Sequence, residues 1–239
     1  VQTLPSSDET ADLLATASEV SFVRGVVGWI DLTASDVAER IEALRSGPGG
    51  HLLVGLRHRV HDDPDPDWLR RPDVHRGLQA VAAADLVFDL QVRTRELPAA
   101  GAACRTLPEL VFVLDHLACP PIASGDLSAW GRELLPLAEL PNVNAKLSGL
   151  VTEADWHTWS IDDLRHPVEL ALDAFGAHRL MLGSDWPTCL LAGAYSDAID
   201  TVRYLLGELP SHEQEQIRGA TAAFVYGLHD GEASPLASQ

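Results

Sequence analysis

The feature that most constrains the fold of this chain is an alternation between short apolar segments and amphipathic stretches along its whole length. The short segments are rich in β-branched residues, whereas the amphipathic stretches repeat apolar residues three and four positions apart, as helices do. Several short segments are apolar on both faces, as expected of parallel strands that are covered on both sides. Six segments predict strands: Phe22–Ile30, His51–Arg59, Leu86–Val92, Leu110–His116, Val143–Leu147 and Leu180–Ser184.

Amphipathic stretches predict helices before, between and after these strands, at Asp8–Ser18, Asp36–Arg45, Asp73–Ala84, Ala129–Leu140, Asp162–Phe175, Ala194–Leu206 and Glu213–Tyr226. Such alternation forms parallel βαβ units, in either a closed barrel or an open doubly wound sheet. A doubly wound nucleotide-binding sheet would carry a GxGxxG turn after an early strand. Because Gly25, Gly28 and Gly55 do not form that turn, we predict an α/β fold of the TIM (β/α)8 barrel type.

The number of predicted strands is lower than a closed eight-stranded barrel requires. An open barrel would expose two unpaired strand edges, which proteins avoid. We therefore expect a single barrel domain over residues 1–239 that is incomplete at its N-terminus. The first strand, the first helix and most of the second strand would lie upstream, and Val1-Gln2 would be the tail of that second strand.

Composition narrows the class of partner. The 35 acidic and 17 basic side chains give a formal net charge of −18, which disfavours nucleic acid and anionic membranes as partners. The three cysteines, Cys104, Cys119 and Cys189, are widely spaced and form neither a disulfide framework nor a CxxC metal motif. We expect a cytoplasmic protein that acts on a small molecule, and a homo-oligomer remains open.

Candidate functional residues follow from the barrel prediction, because barrel enzymes place their chemistry at the C-terminal ends of the strands. Charged, imidazole or aromatic side chains stand at or just beyond these ends: Trp29, Asp31, Arg57, His58, Asp115, His116, Lys146 and Asp185. Asp185 could instead cap a turn, and His116 could be a core histidine. Side-chain alternation directs only one of Arg57 and His58 inward, and Arg57 is favoured. Lys146 could bind substrate or pair with a structural partner such as Asp89.

These strand ends resemble the amidohydrolase-2 branch of the amidohydrolase superfamily, in its sugar-lactonase group. The matching segments occur in the order and with the spacing of that family across nearly the whole chain. They are Gly25-Val26-Val27-Gly28-Trp29-Ile30-Asp31, Gly55-Leu56-Arg57-His58, Leu86-Val87-Phe88-Asp89-Leu90, Phe112-Val113-Leu114-Asp115-His116-Leu117, Lys146-Leu147-Ser148-Gly149-Leu150-Val151-Thr152-Glu153-Ala154 and Leu182-Gly183-Ser184-Asp185-Trp186-Pro187.

The resemblance implies a barrel hydrolase for lactones of sugar acids, such as fucono- or rhamnonolactone, or for related dicarboxylate lactones. It implies that Asp185 is the acid/base and that His116 and Arg57 belong to the catalytic site. Two departures stand out. The His-x-His pair of the family's first strand is absent from this sequence, and Cys119 stands where relatives often carry lysine. Metal dependence varies in this branch, so one divalent ion such as zinc, or none, is expected.

The resulting hypothesis is hydrolysis of the ester bond of an aldonolactone. Asp185 would take a proton from the attacking water and return it to the leaving alkoxide, while His116 and Arg57 would polarise the carbonyl. The expected substrate-binding residues are Lys146, Trp29, Asp31, His58, Glu153 and Trp156, and a metal ion would use His116 and Asp185. The alternatives are a zinc-dependent decarboxylase of the same superfamily and a barrel that binds a ligand without catalysis.

Overall fold

Six parallel strands form the centre of the computed structural model, which describes residues 1–228. The strands pair in sequence order, so that each one forms backbone hydrogen bonds with the strands next to it along the chain. A doubly wound sheet would reverse its strand order in the middle, so the sequential order confirms the predicted barrel type. The strands are β1 (Val26–Gly28), β2 (Leu53–Arg59), β3 (Val87–Gln91), β4 (Phe112–Leu114), β5 (Val143–Leu147) and β6 (Leu180–Leu182).

Helices connect the strands and cover the outer face of the sheet. Those up to the last strand are α1 (Ser7–Ser18), α2 (Val37–Ser46), α3 (Pro72–Ala83), α4 (Leu97–Thr106), α5 (Ser128–Ala138), α6 (Leu150–Glu153) and α7 (Ile161–Phe175). After β6 come α8 (Tyr195–Leu205), α9 (Ser211–Glu215), a π-helical turn (Gln216–Ala220) and α10 (Thr221–Val225). Helix α4 was not predicted from the sequence, because its small alanine and glycine residues do not form a distinct apolar stripe.

The two faces of the sheet have different roles. On the outer face, Phe88 and Phe112 pack edge to face with ring centroids 6.3 Å apart, within the main hydrophobic core beneath the helices. On the inner face, Val87, Val113 and Met181 form a separate apolar cluster. Residues of the C-terminal helical segment, Ala222, Val225 and Tyr226, pack against that inner cluster. This C-terminal helical segment therefore covers part of the inner face.

The segment before α1 lies beside β1. The backbone N–H of Gln2 donates to the carbonyl of Val27 over 2.8 Å, and its side-chain amide donates to the carbonyl of Arg57. This position corresponds to the predicted strand tail at Val1-Gln2.

None of the helices in residues 1–228 combines the length and the apolar character that a membrane crossing requires. Cys104, Cys119 and Cys189 are all buried free thiols.

Candidate active site

Strand register brings the charged side chains together on the inner face. Arg57 of β2 lies opposite Asp89 of β3, and Asp89 lies opposite Val113 of β4. Since side chains alternate along a strand, the inner row continues two residues further to Asp115. Lys146 of β5 pairs in register with Met181, another inner-face residue.

His116 and Asp185 meet above this row, where β4 and β6 end. His116 Nε2 lies 3.5 Å from Asp185 Oδ1, and His116 Nδ1 lies 2.8 Å from the hydroxyl of Ser148. The side chains of His116 and Asp185 are 11% and 17% exposed, which leaves each with one side open to a cavity. Thr188 lines the same cavities as Asp185.

The backbone around this pair is strained. His116 and Asp185 have φ angles of +53° and +55°, and Leu117, Ala118 and Cys119 continue the left-handed conformation. Each such non-glycine residue costs about 1–3 kcal/mol, and strain of this kind concentrates at functional sites. Gly149, at φ +66°, packs so closely on the imidazole of His116 that a Cβ there would lie 2.9 Å from its Cγ and Nδ1.

Beneath the pair runs a buried network of alternating charges. The Lys146 ammonium lies 2.5 Å from Asp89 Oδ2 and 2.6 Å from Asp115 Oδ1. Arg57 Nη1 donates to Asp115 Oδ2 over 2.8 Å, and the Tyr226 hydroxyl donates to Asp89 Oδ1 over 2.8 Å. Two carboxylates thus balance one ammonium and one guanidinium, so the network carries no net charge.

Burial and charge pairing act in opposite directions on the pKa values of these groups. Burial opposes the charge on Lys146, but Asp115 and Asp89 outweigh it and raise the pKa of the ammonium well above its ordinary value. Burial likewise opposes ionisation of Asp115, yet Lys146, His116 and Arg57 hold the pKa of that carboxyl below its usual range. Burial raises the pKa of Asp185, and the charge of His116 only partly offsets it. Asp185 is therefore a stronger base than an exposed aspartate.

Two adjoining cavities open over the pair. The first, of about 460 Å³, is lined by Arg57, His116, Lys146 and Asp185 together with apolar residues of the inner face. The second, of about 400 Å³, shares Arg57, His116 and Asp185 with the first. Glu153 and Trp156, two of the predicted substrate-binding residues, line the second cavity.

Trp29, Asp31 and His58 line neither cavity. His58 lies next to Arg57 on β2 and therefore faces the helices, where its ring stacks on Trp68 with centroids 4.2 Å apart. The indole N–H of Trp29 donates to His58 Nδ1 over 3.0 Å. Asp31 caps its own turn by accepting hydrogen bonds from the backbone and hydroxyl of Thr33. The structure thus brings Arg57, His116, Lys146, Glu153, Trp156 and Asp185 together and leaves these three apart.

Two contacts of the site were not predicted from the sequence. Tyr226 belongs to the buried network, and Ser148 is the hydrogen-bond partner of His116. Tyr226 follows α10, far along the chain from the strand ends that drew attention, and no local pattern distinguishes it. Ser148 carried a usable signal, because it lies two residues after the inward-facing Lys146 and therefore on the same face.

The donors available to a metal ion at this point are His116 Nε2 and the Asp185 carboxylate. Across residues 1–228, no group of three or more histidine, cysteine, aspartate or glutamate side chains converges in a way that could hold a metal ion. Zinc takes at least three protein ligands in its usual sites. These residues therefore do not by themselves complete a zinc site, although two of the required donors are in place.

A sequence profile of the amidohydrolase family matches residues 2–228. A curated protein of Burkholderia multivorans named L-fucono-1,5-lactonase is 41% identical over 239 aligned residues, which cover 95% of this chain and 79% of that protein. An L-fucono-1,5-lactonase of Burkholderia ambifaria is 45% identical over 199 residues, covering 82% of this chain and 67% of the relative.

Solved structures agree with the sequence comparisons. A crystal structure of a Burkholderia multivorans amidohydrolase with bound zinc is 40% identical and superposes with a TM-score of 0.88, covering 95% of this chain and 82% of that one. A structure described as a 2-pyrone-4,6-dicarboxylic acid hydrolase from Pseudomonas putida is 21% identical, with a TM-score of 0.73, over 91% of this chain and 77% of that one. At that identity the likeness shows the fold alone.

Proposed function

This chain belongs to the amidohydrolase family, and from that membership we propose that it hydrolyses the ester bond of a sugar-acid lactone. The observation that carries the proposal is the His116–Asp185 pair, whose facing atoms lie 3.5 Å apart at the wall of a cavity that Arg57 also lines. An acid/base and two polar groups able to bind a carbonyl oxygen are what lactone hydrolysis requires. The two relatives named L-fucono-1,5-lactonase support an aldonolactone as substrate.

Asp185 is the proposed general base. Burial raises the pKa of its carboxyl, which strengthens it as a proton acceptor. It would accept a proton from water as the water oxygen attacks the lactone carbonyl. The same proton would pass to the ring oxygen as the C–O bond breaks and the chain opens to the hydroxy acid.

His116 and Arg57 are the proposed groups that stabilise the tetrahedral oxyanion. The bond between His116 Nδ1 and Ser148 orients the ring so that Nε2 faces the cavity. The guanidinium of Arg57 is fixed by Asp115 on one side and by the carbonyl of Gln2 on the other. Its Nε is buried and has no hydrogen-bond partner among residues 1–228, so the guanidinium would contact substrate through the part that lines the two cavities.

The sequence left two roles open for Lys146, substrate binding and pairing with a structural partner such as Asp89, and we favour the second. Its ammonium is already shared between Asp89 and Asp115, and its side chain is only 13% exposed. We assign it to holding Asp115, which in turn holds Arg57. Lys146 is therefore a positioning residue rather than a direct ligand of the substrate.

If the protein binds a divalent ion, His116 and Asp185 would be two of its ligands. Imidazole nitrogen and carboxylate oxygen are both ordinary zinc ligands, and such an ion would supply Lewis-acid polarisation of the carbonyl. Since these two donors alone do not complete a zinc site, no step above depends on a metal.

The test is acid release from a panel of aldonolactones, L-fucono-1,5-lactone among them, by the wild-type protein and by Asp185→Asn. Loss of a positioned general base lowers kcat/KM by about 10²–10⁴-fold. Asp200→Asn, an exposed aspartate on α8, is the matched control and should stay close to wild type. If Asp185→Asn keeps near-full activity on the lactone that the wild type prefers, the assignment is wrong.

A further inference from the structure

The second cavity contains polar side chains that the proposed hydrolytic step does not use. Beyond Arg57, His116 and Asp185, its walls include Gln91, Arg93, Glu153 and Trp156. A substrate whose carbonyl lies at His116 and Asp185 would extend its remaining atoms towards these four residues.

Arg93 and Glu153 form a rigid donor–acceptor pair in this wall. The guanidinium Nη1 and Nη2 lie 2.8 and 2.9 Å from the two carboxylate oxygens of Glu153, which is the bidentate geometry. Cys119 lines the same cavity. The Glu153 side chain is only 16% exposed, whereas that of Arg93 is 49% exposed, so the carboxylate is fixed and the guanidinium is open to the cavity.

Gln91 supplies an acceptor that has no partner. It lies two residues after Asp89 on β3 and so shares the inner face. Its Oε1 is buried and accepts no hydrogen bond within the described residues 1–228. A buried acceptor without a donor is unfavourable, and a rotation of the Gln91 side chain, which lines the cavity, would present it to a hydroxyl group of a ligand.

Trp156 adds an apolar surface beside these groups. Its side chain is 46% exposed, and its indole N–H donates to the carbonyl of Thr152 over 2.8 Å. That bond fixes the ring on the end of α6 while leaving part of it open. A fixed aromatic face suits the C–H surface of a sugar ring, whose hydroxyl groups point to the sides.

We propose that Gln91, Arg93, Glu153 and Trp156 form a subsite for the hydroxyl-bearing carbons of a neutral, polyhydroxylated lactone. This inference rests on the proposed lactonase function and deepens it. A hydroxyl can accept from Arg93 and donate to Glu153 or to Gln91 Oε1, which uses each group in its preferred role. Glu153 neutralises the charge of Arg93, so a carboxylate in the same place would gain no net charge attraction from the pair, and the subsite favours neutral lactones over lactones of dicarboxylic acids.

The experiment compares kcat/KM for three substrates: L-fucono-1,5-lactone, δ-valerolactone, which has no hydroxyl groups, and 2-pyrone-4,6-dicarboxylate. We expect Glu153→Gln to lower kcat/KM for the fuconolactone relative to δ-valerolactone by about 10- to 100-fold, the effect of one charge-assisted hydrogen bond. The same variant should raise kcat/KM for the dicarboxylate, because it leaves the positive charge of Arg93 without its carboxylate partner and free to bind an anion. Opposite changes in one variant cannot arise from partial unfolding.

Glu133→Gln is the matched control, since Glu133 also pairs with an arginine, Arg132, but on the outer helix α5. It should leave the ratios between the three substrates unchanged. Equal losses on all three substrates in Glu153→Gln, or no change in any ratio, would overturn the subsite while leaving the lactonase proposal intact.

If the wild-type protein hydrolyses no sugar lactone, the proposed function fails separately. The subsite is then judged by calorimetric binding of L-fucono-1,5-lactone to Asp185→Asn with and without Glu153→Gln. Weaker binding in the double variant supports the subsite, and equal binding refutes it.

Discussion

Replacing Lys146 by methionine keeps an unbranched side chain of similar length but removes the charge that two buried carboxylates share. Asp89 and Asp115 have fully buried side chains, and the ammonium lies 2.5 and 2.6 Å from their oxygens. Without it, Arg57 balances Asp115, and Asp89 keeps only the Tyr226 hydroxyl as a partner. The network then carries one uncompensated negative charge in the interior.

Removing one partner of a buried ion pair costs about 3–5 kcal/mol, because the other charge stays buried without compensation. Small domains have total unfolding free energies of about 5–15 kcal/mol. Lys146→Met should therefore remove a large part of the stability of this chain. The methionine side chain recovers little of this loss, since packing an apolar group does not neutralise Asp89.

The loss should depend on pH in a definite direction. An unpaired buried carboxyl has a pKa above its unfolded value, so the folded variant binds a proton more readily than the unfolded chain does. In the wild type burial already raises the pKa of Asp89 and the charge of Lys146 partly offsets that effect, so removing Lys146 raises this pKa further. Consequently the stability deficit of the variant should be greatest near neutral pH and shrink as the pH falls towards the range in which carboxyls titrate.

Urea unfolding followed by circular dichroism measures this deficit. Arg203→Met is the control, because Arg203 pairs with Asp200 at 3.3 Å but both side chains are more than half exposed. Exposed pairs contribute about 0–1 kcal/mol. If Lys146→Met costs no more than Arg203→Met, or if its deficit does not change with pH, the charges of the buried network do not stabilise the fold.

Two further predictions concern His58 and Gly149. Burial lowers the pKa of His58 from 6.5, and the Trp29 N–H needs an unprotonated Nδ1, so the free energy of unfolding should fall as pH drops below that value. Urea titrations should show a smaller fall in His58→Phe, and an unchanged slope would refute this. Gly149→Ala should displace His116 and lower kcat, besides losing about 1–2 kcal/mol for its left-handed backbone. Gly125→Ala, at φ +71° in open space, should lose similar stability and keep kcat, and equal kcat losses would contradict the argument.

Much of the fold was predictable because each strand and most helices have a recognisable spacing of apolar residues within their own segment. All six predicted strands exist; β5 has the predicted bounds, and the other five are shorter than expected, β1 and β4 most of all. The ends of the predicted segments form turns in the structure, and apolar composition alone does not predict these turns. Helix α4 escaped detection because Leu97–Thr106 is rich in alanine and glycine, and such small residues bury well without forming a strong stripe.

The candidate site was only partly predictable. Position at a strand end correctly drew attention to Arg57, His116 and Asp185 as neighbours, because parallel strands deliver their ends to one rim. The same rule selected Trp29, Asp31 and His58, which the structure places outside both cavities. Strand-end position does not tell which way Trp29 and Asp31 point once β1 has ended, whereas His58 lies within β2, where alternation with Arg57 directs it towards the helices.

The sequence by itself determined the α/β class, the barrel type and the chain segments that carry the site, since these depend on periodicity and on residues close together along the chain. Only the tertiary structure decided the partners of the charged residues. Tyr226 reaches Asp89 across 137 positions of sequence, and Lys146 reaches both Asp89 and Asp115. Which charges meet depends on strand register and on how the last helix packs, and neither is encoded in a local pattern.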